Sequence, residues 1–243
     1  MKVAIINIII ILGNYNVVYY PMVRLMKIHE FGDPGADIVL VQLSEEHEAE
    51  FLDSEAAAIK RMSGMSFRLA AVMVDDWNRD LSPWEVPAVF GDEGFGGGAA
   101  ETLKSVLDLC DDTSKTFIIG GYSLAGLFAL WAAYQTDLFK GIAAASPSMW
   151  FPGFLDYMKE NEIKSSVVYL SLGDKEEKTR NPVMAAVGDR IREVKELLSK
   201  RDVLCTLEWN QGNHFRDPDL RTAKAFSWAM QETRIITGKK ALG

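Results

Sequence analysis

The stretch TFIIGGYSLAGLFALWAA, Thr116 to Ala133, decides the fold of this chain. An apolar strand-like run meets two glycines, then Tyr122 and Ser123, and then an apolar run of helical character. A single serine therefore stands at the junction of a predicted strand and a predicted helix. Serine is a favoured helix N-cap residue. Ser123 is accordingly either a cap or a nucleophile held on a tight turn.

The chain has 243 residues, 48% of them apolar, which favours one globular domain. Its formal net charge of −8 argues against nucleic-acid binding, because there is no surplus of Lys and Arg to displace counterions from phosphates. Cys110 and Cys205 are far apart and lack the spacing of a metal site or a disulfide framework. We expect two reduced thiols and a cytoplasmic protein.

Residues 1–25 are predicted to be an N-terminal extension or a peripheral segment, outside a single domain at 26–243. MKVAIINIIIILG places one lysine before an apolar run that is too short to span a bilayer. The same pattern is typical of a signal peptide, which would mean export, but no small-x-small cleavage site follows. A natural start at Met22 or Met26 is a further alternative.

Seven apolar runs predict strands at 26–31, 37–43, 67–74, 116–120, 141–146, 165–173 and 204–209. Helical patterns occupy 44–64, with Ser44 as a cap, and then 99–112, 123–135, 182–200 and 218–237. Strands that alternate with helices indicate an α/β fold: a mostly parallel central sheet with helices on both faces. The chemistry of such sheets collects at the carboxyl ends of the strands.

The segment 75–98 lies between a predicted strand and a predicted helix, and it has no periodicity. A loop of this length in a compact domain is usually functional or disordered. Its aromatic residues Trp77, Trp84 and Phe90 indicate a packed loop that shapes specificity.

Polar residues follow three of the predicted strands, in the chain order serine, acid, histidine. Ser123 comes first, and His214 follows the last strand. This order is the one found where a G-x-S-x-G nucleophile elbow joins a strand to a helix. His29 and His47 precede the serine and are predicted to be surface or packing residues. The pattern therefore predicts Ser123 as the nucleophile and His214 as its general base.

Three acids follow the strand 165–173, and each is a candidate to orient the histidine. Glu176 stands three residues after Gly173, a common spacing for a carboxylate at a strand end, while Asp174 and Glu177 compete with it. The acid of such a triad must hydrogen-bond the far ring nitrogen of the base.

A nucleophile elbow requires small residues two positions before and two positions after the serine. Gly121 and Ala125 meet this requirement, although the alanine departs from the glycine of the pattern. A helix that begins at the serine directs its free N–H groups at developing negative charge. The backbone N–H of Leu124 is therefore a candidate oxyanion donor.

The motifs GYSLAGLFALW, ASPSMW, SLGDKEE and GNHF resemble the esterase branch of the α/β-hydrolase superfamily, which includes enterobactin-type siderophore esterases and esterase D. GFGGGAAETL resembles the glycine-rich start of the helix before the elbow strand in that branch. The resemblance implies an α/β-hydrolase fold without a large lid domain, ester hydrolysis through an acyl-enzyme, and no cofactor. By position it assigns the nucleophile to Ser123, the base to His214 and the acid to Glu176.

The resemblance also implies a second oxyanion donor in the loop after the third strand, at a backbone N–H near Trp77. The same loop would place Trp77 and Arg79 over the acyl or alcohol side of the pocket. Tyr122 and Trp150 are expected near the serine.

The partner expected from these residues is a small-molecule ester, with no nucleic acid and no membrane span. Two alternatives use the same site: acyl transfer to an alcohol, and a hydrolase-fold binding protein that has lost activity. GFGGGA formally matches a dinucleotide fingerprint, but it follows FGDE instead of a strand, which argues against nucleotide binding.

Overall fold

The computed structural model describes residues 8–12, 15–19 and 26–240, and these residues form eleven strands and eight α-helices. The strands are β1 (Ile8–Leu12), β2 (Tyr15–Tyr19), β3 (Lys27–Gly32), β4 (Ile38–Ser44), β5 (Arg68–Met73), β6 (Glu85–Val86), β7 (Phe95–Gly96), β8 (Thr116–Tyr122), β9 (Phe139–Ala145), β10 (Val167–Gly173) and β11 (Leu204–Asn210). The helices are α1 (Leu52–Ser63), α2 (Trp77–Asp80), α3 (Ala99–Leu109), α4 (Leu124–Gln135), α5 (Phe154–Glu160), α6 (Pro182–Ala185), α7 (Val187–Lys200) and α8 (Pro218–Lys240). Short 3-10 helices span Glu46–Phe51 and Glu176–Lys178.

Nine strands form one sheet in the order β1-β2-β3-β5-β4-β8-β9-β10-β11. The six strands from β5 to β11 in this order are parallel, whereas β1, β2 and β3 are antiparallel to their neighbours. The predicted mostly parallel α/β sheet is confirmed. Residues 8–12 and 15–19 of the predicted N-terminal segment supply β1 and β2 at one edge, and the rest of that segment lies outside the described residues.

The core lies on both faces of the sheet. One face packs against α3, α4, α5 and α7, and the other against α1 and α8. Every residue of α4 from Leu124 to Tyr134 is buried. Each large apolar side chain buried in this way stabilises the fold by about 1.5–3 kcal/mol. This explains why the chain is apolar without interruption after the serine at the central strand.

The structure differs from the predicted elements at Ser44, at the helix Phe154–Glu160 and in the predicted helix 182–200. Ser44 is the last residue of β4 and not a helix cap, because its buried hydroxyl accepts a hydrogen bond from Gln42 Nε2. Glu45 takes the cap position of the 3-10 helix, in a reciprocal capping box with Glu48. The helix α5 was not predicted, since its seven residues carry too short a pattern, and the predicted helix 182–200 is divided at Ala186.

The segment 75–98 is packed, as its aromatic residues predict, and it contains α2, β6 and β7. Trp84 contacts the ring of Phe151, and its Nε1 donates to the carbonyl oxygen of Pro152 at 3.1 Å. A Cβ placed at Gly96 would lie 2.5 Å from Cγ of Arg79. The glycines of GFGGG therefore allow this segment to pack closely against itself. Among the described residues, no helix is both long enough and apolar enough to cross a membrane.

Candidate active site

The residues Gly121 to Ala125, which we call the elbow, join β8 to α4 by a tight turn. Ser123 has φ 56° and ψ −117°, a conformation that costs a non-glycine residue about 1–3 kcal/mol. A Cβ at Gly121 would lie 2.6 Å from Cβ of Ala125, so glycine is required at position 121. The Ser123 side chain makes no capping hydrogen bond to α4. The serine stands at the helix start, but its hydroxyl is free to point elsewhere.

The hydroxyl of Ser123 is the first member of a chain of hydrogen bonds. Its Oγ lies 3.0 Å from His214 Nε2, and His214 Nδ1 lies 2.7 Å from Glu176 Oε2. The serine comes from the elbow, the glutamate from the loop after β10, and the histidine from the loop after β11. Because these strands are parallel, their carboxyl ends bring the three side chains to one edge of the sheet.

The other two candidate acids have different partners. Asp174 Oδ1 accepts a hydrogen bond from the N–H of Gly212 at 2.8 Å. Glu177 forms an ion pair with Arg192 at 2.9 Å. Of the three acids after β10, Glu176 is the one that contacts the imidazole.

The two carboxylate oxygens of Glu176 have different hydrogen-bond partners. While Oε2 faces His214, Oε1 accepts three hydrogen bonds, from the Gly173 N–H at 2.7 Å, Ser146 Oγ at 2.9 Å and Arg221 Nη1 at 2.9 Å. Burial raises the pKa of Glu176, but the hydrogen bond and charge of His214, with the bonds from Gly173 and Ser146, outweigh burial and lower it below its ordinary value. The carboxyl group is therefore ionised at neutral pH.

Two buried serines in the ASPSMW turn also belong to the site. The N–H of Ser148 donates to the Ser123 carbonyl oxygen at 3.0 Å, and the two hydroxyl oxygens lie 3.2 Å apart. Ser146 holds Glu176 from a strained backbone with φ 41°. Neither serine was predicted as a site residue, although the turn that carries them is conspicuous in the sequence.

Tyr122 directly precedes Ser123 in the chain, and Trp150 lines the same cavity as Ser123. The hydroxyl of Tyr122 donates to the His214 carbonyl oxygen at 2.6 Å, and the two rings are 5.1 Å apart. Burial, above all, raises the pKa of Tyr122 to about 12. Tyr122 is thus a neutral hydrogen-bond donor to the backbone of His214.

A cavity of about 550 Å³ opens at Ser123. Its walls are mostly apolar and include Phe90, Trp150, Met184, Val187 and Phe215, together with Ser123 and His214. Phe215 is 86% exposed and follows directly after the histidine, so a ligand in the cavity would cover it. Among the described residues, no group of three or more His, Cys, Asp or Glu side chains is arranged to hold a metal ion.

The structure places Trp77 and Arg79 differently from the prediction. On the side of β8 that faces away from β9, the hydrogen-bonded strand is β4, and β5 lies one strand further away. The loop beside the elbow therefore begins at Glu45, whereas Trp77 follows β5. Trp77 and Arg79 line a separate cavity, and the Arg79 guanidinium pairs with Asp80 at 2.9 Å.

Leu124 is the first residue of α4, immediately after Ser123. The first N–H groups of an α-helix have no acceptor within the helix. The backbone N–H of Leu124 is therefore available to an acceptor outside α4, on the positive end of the helix dipole.

No protein-family model and no curated protein sequence matches the chain, but solved structures match most of it. An IroE-like serine hydrolase from Shewanella oneidensis aligns with a TM-score of 0.69 and 15% identity, over 84% of this chain and 75% of its own. For the siderophore hydrolase EstA from Aspergillus nidulans the TM-score is 0.61 and the identity 18%, over 86% and 90% of the two chains. The enterobactin esterase FES from Shigella flexneri, determined in the presence of enterobactin, gives 0.66 and 14%, over 95% of this chain and 60% of FES.

These likenesses define the class of fold. The chain has the α/β-hydrolase fold of esterase-type hydrolases. This is the fold that the motifs around Ser123 and His214 predict.

Proposed function

We propose that this protein is a serine hydrolase that cleaves carboxylic esters through an acyl-enzyme. The observation that supports the proposal is the hydrogen-bonded chain from Ser123 Oγ through the imidazole of His214 to Glu176, with distances of 3.0 and 2.7 Å. A serine hydroxyl is a weak nucleophile until a base accepts its proton. In this proposal His214 is that base, and the Glu176 carboxylate orients its imidazole.

Acylation would begin when Ser123 Oγ attacks the ester carbonyl and its proton passes to His214 Nε2. Glu176 accepts the hydrogen bond of Nδ1–H, which fixes the tautomer and stabilises the imidazolium. The N–H of Leu124 would stabilise the oxyanion of the tetrahedral intermediate, and one such donor is typically worth about 10²–10³ in rate. The intermediate collapses when His214 returns the proton to the leaving alcohol oxygen.

Deacylation would repeat these steps with water as the nucleophile. His214 removes a proton from the water as it attacks the acyl carbon, and then returns it to Ser123 Oγ as the acid is released. The strained φ of Ser123 would keep its Oγ at the cavity in both half-reactions, as the hydroxyl during acylation and as the ester oxygen during deacylation.

The cavity of about 550 Å³ has room for a small-molecule ester with a largely apolar body. EstA is a siderophore hydrolase and FES an enterobactin esterase, so a siderophore trilactone and enterobactin belong in the substrate panel together with aliphatic and aromatic esters.

Labelling by a fluorophosphonate probe tests the proposal, with the adduct located by mass spectrometry. We expect the wild type to be labelled at Ser123 and to hydrolyse p-nitrophenyl esters. Ser123→Ala should abolish labelling and lower kcat by about 10⁴-fold or more. Ser148→Ala is the matched control, because this variant removes the neighbouring hydroxyl 3.2 Å away and should still be labelled.

Other results would point elsewhere. An unlabelled wild type would favour a binding protein that uses the hydrolase fold. Labelling accompanied by transfer of the acyl group to an added alcohol in preference to water would identify an acyltransferase.

A further inference from the structure

Arg221, in the first turn of α8, is the most deeply buried cation near the site. It is 2% exposed, although α8 begins at the protein surface with exposed residues such as Pro218. Burying a guanidinium is unfavourable unless its N–H groups are hydrogen-bonded. The hydrogen-bond partners of Arg221 therefore indicate the role of this buried cation.

The guanidinium is shared between the acid and the loop that carries the histidine. Nη1 donates to Glu176 Oε1 at 2.9 Å, to Tyr122 OH at 3.0 Å and to Ser146 Oγ at 3.3 Å. Nη2 donates to the carbonyl oxygens of Asn213 at 3.0 Å and Gln211 at 3.3 Å. One planar group thus contacts four separate segments of the chain.

Tyr122 extends this network to the histidine itself. Its hydroxyl accepts a hydrogen bond from Arg221 and donates one to the His214 carbonyl oxygen at 2.6 Å. The backbone of residues 213 and 214 is therefore held at two adjacent carbonyls, while the same guanidinium holds the acid. A single side chain from a third element thus contacts both the carboxylate and the loop that carries the imidazole.

The atoms around the Arg221 guanidinium are closely packed. A Cβ placed at Gly173 would lie 3.0 Å from Arg221 Nη1, 2.9 Å from Glu176 Oε1 and 2.4 Å from the Gly212 carbonyl oxygen. A shorter or non-planar cation could not reach the same acceptors, because only a guanidinium presents several donors in one rigid plane.

We infer that Arg221, acting through Tyr122 and Glu176, is a positioning residue that sets the geometry of His214 against Ser123. The inference rests on the proposed function. A displacement of about 1 Å in such a constellation can cost about 100-fold in rate. Because Arg221 does not line the cavity at Ser123, its loss should change kcat and leave KM nearly unaltered.

The test compares the buried Arg221 with the half-buried Arg201. Arg201 Nη1 donates to the carbonyls of Met158 at 2.9 Å and Asn161 at 2.5 Å, and Nη2 donates to Lys159 at 2.7 Å, all remote from Ser123. We expect Arg221→Ala to lower kcat for a p-nitrophenyl ester by about 100-fold, with KM within about twofold of the wild type. Arg201→Ala should leave both constants within about twofold while lowering the melting temperature.

Two further measurements separate positioning from a general structural role. Millimolar guanidinium chloride should restore part of the kcat of Arg221→Ala and none of the melting temperature lost by Arg201→Ala. Arg221→Lys should recover less than the added guanidinium does, because lysine lacks the planar donors. If Arg221→Ala does not fold, Tyr122→Phe removes only the bridging hydroxyl and should lower kcat by about tenfold.

Each outcome of these measurements either supports or overturns the positioning role of Arg221. If the wild type is labelled by the fluorophosphonate and folded Arg221→Ala or Tyr122→Phe keeps the wild-type kcat, the positioning role is overturned and the proposed function stands. If the fall appears in KM instead, Arg221 binds substrate and the inference is equally wrong. An unlabelled wild type overturns the proposed function itself.

Discussion

Two glutamates are buried in this protein, and their surroundings differ. Glu176 is 9% exposed and accepts four hydrogen bonds, from Gly173, Ser146, Arg221 and His214. Glu55, on α1, is 4% exposed. Its one hydrogen bond comes from Gln42 Nε2 at 3.3 Å, and its Oε1 has no partner among the described residues.

The difference appears in the protonation of the two groups. Burial, reinforced by the charges of Glu48 and Asp219, raises the pKa of Glu55 well above its ordinary value despite the hydrogen bond from Gln42. The donors around Glu176 reverse the effect of burial and lower its pKa. Burial is common to both carboxyl groups, so the hydrogen-bond donors and the neighbouring charges decide which of them is ionised.

Replacing Glu176 should have the largest effect. Glu176→Gln removes the negative charge and lets an amide N–H face the imidazole, which favours the wrong tautomer. We expect kcat to fall by about 10⁴-fold, measured with p-nitrophenyl esters. The variant also leaves the Arg221 charge buried without its partner and should lose about 3–5 kcal/mol of stability.

Glu177→Gln is the matched control, since the neighbouring carboxylate pairs with Arg192 and does not contact His214. Its kcat should stay within about twofold of the wild type. Equal losses in the two variants would mean that the loop after β10 matters as a whole and that Glu176 has no special role.

Crowding the donors around Glu176 should have an intermediate effect. Gly173→Ala places a methyl group 2.4 Å from the Gly212 carbonyl oxygen and 2.9 Å from Glu176 Oε1. We expect kcat to fall by about 100-fold and stability by about 1–3 kcal/mol. Gly238→Ala, in α8 with no neighbour within 4 Å, should leave kcat unchanged and match or exceed the wild-type stability by up to about 1 kcal/mol. Wild-type kcat in Gly173→Ala would contradict the packing described around Glu176.

The smallest effect is expected from Glu55→Gln, and it should appear in stability alone. The pKa of Glu55 is raised, so its contribution to stability is present below its ordinary pKa of 4.5 and is lost as the pH rises towards the folded-state pKa. Removing the ionisable group should raise the melting temperature at pH 7 by about 2–4 °C and change it little at pH 4. The exposed Glu50 provides a control, because Glu50→Gln should move neither value.

Glu176 has the opposite pH dependence. Its pKa is lowered, so its contribution is present above pH 4.5 and is lost as the pH falls through the folded-state pKa. Melting curves between pH 7 and pH 3 should therefore show a steeper acid loss in the wild type than in Glu176→Gln. Parallel curves would indicate that the donors around Glu176 do not hold its charge.

The sequence alone predicts the fold and the central serine and histidine because their signals are local. Small residues at 121 and 125 permit the turn, and the apolar runs on either side identify β8 and α4. The helix α5 and the division of the predicted helix 182–200 are missed, since patterns of four to seven residues are too short to define periodicity.

The residues that complete the site carry no comparable signal. Arg221 lies in a helical segment, PDLRTAKAF, that mixes charged, polar and apolar residues, and nothing in this pattern distinguishes a buried guanidinium from an exposed one. The sequence also does not show which loop lies beside the elbow. In the sheet β4 lies between β5 and β8, although in the chain β5 follows β4. The assignment of Trp77 followed chain order, whereas neighbours in a parallel sheet need not be consecutive.

By itself, the sequence determined a strand–serine–helix junction and a later histidine, because these signals are local, and it determined the α/β class, because strands alternate with helices along the chain. Only the tertiary structure decided which acid faces His214 and which cation holds that acid. Asp174, Glu176 and Glu177 are nearly equivalent in the sequence. They differ in the donors brought to them by α7, α8 and the segments after β9 and β11. The 2.7 Å hydrogen bond between Glu176 and His214 joins residues 38 positions apart. It depends on how the strands are arranged in the sheet and not on the local sequence around either residue.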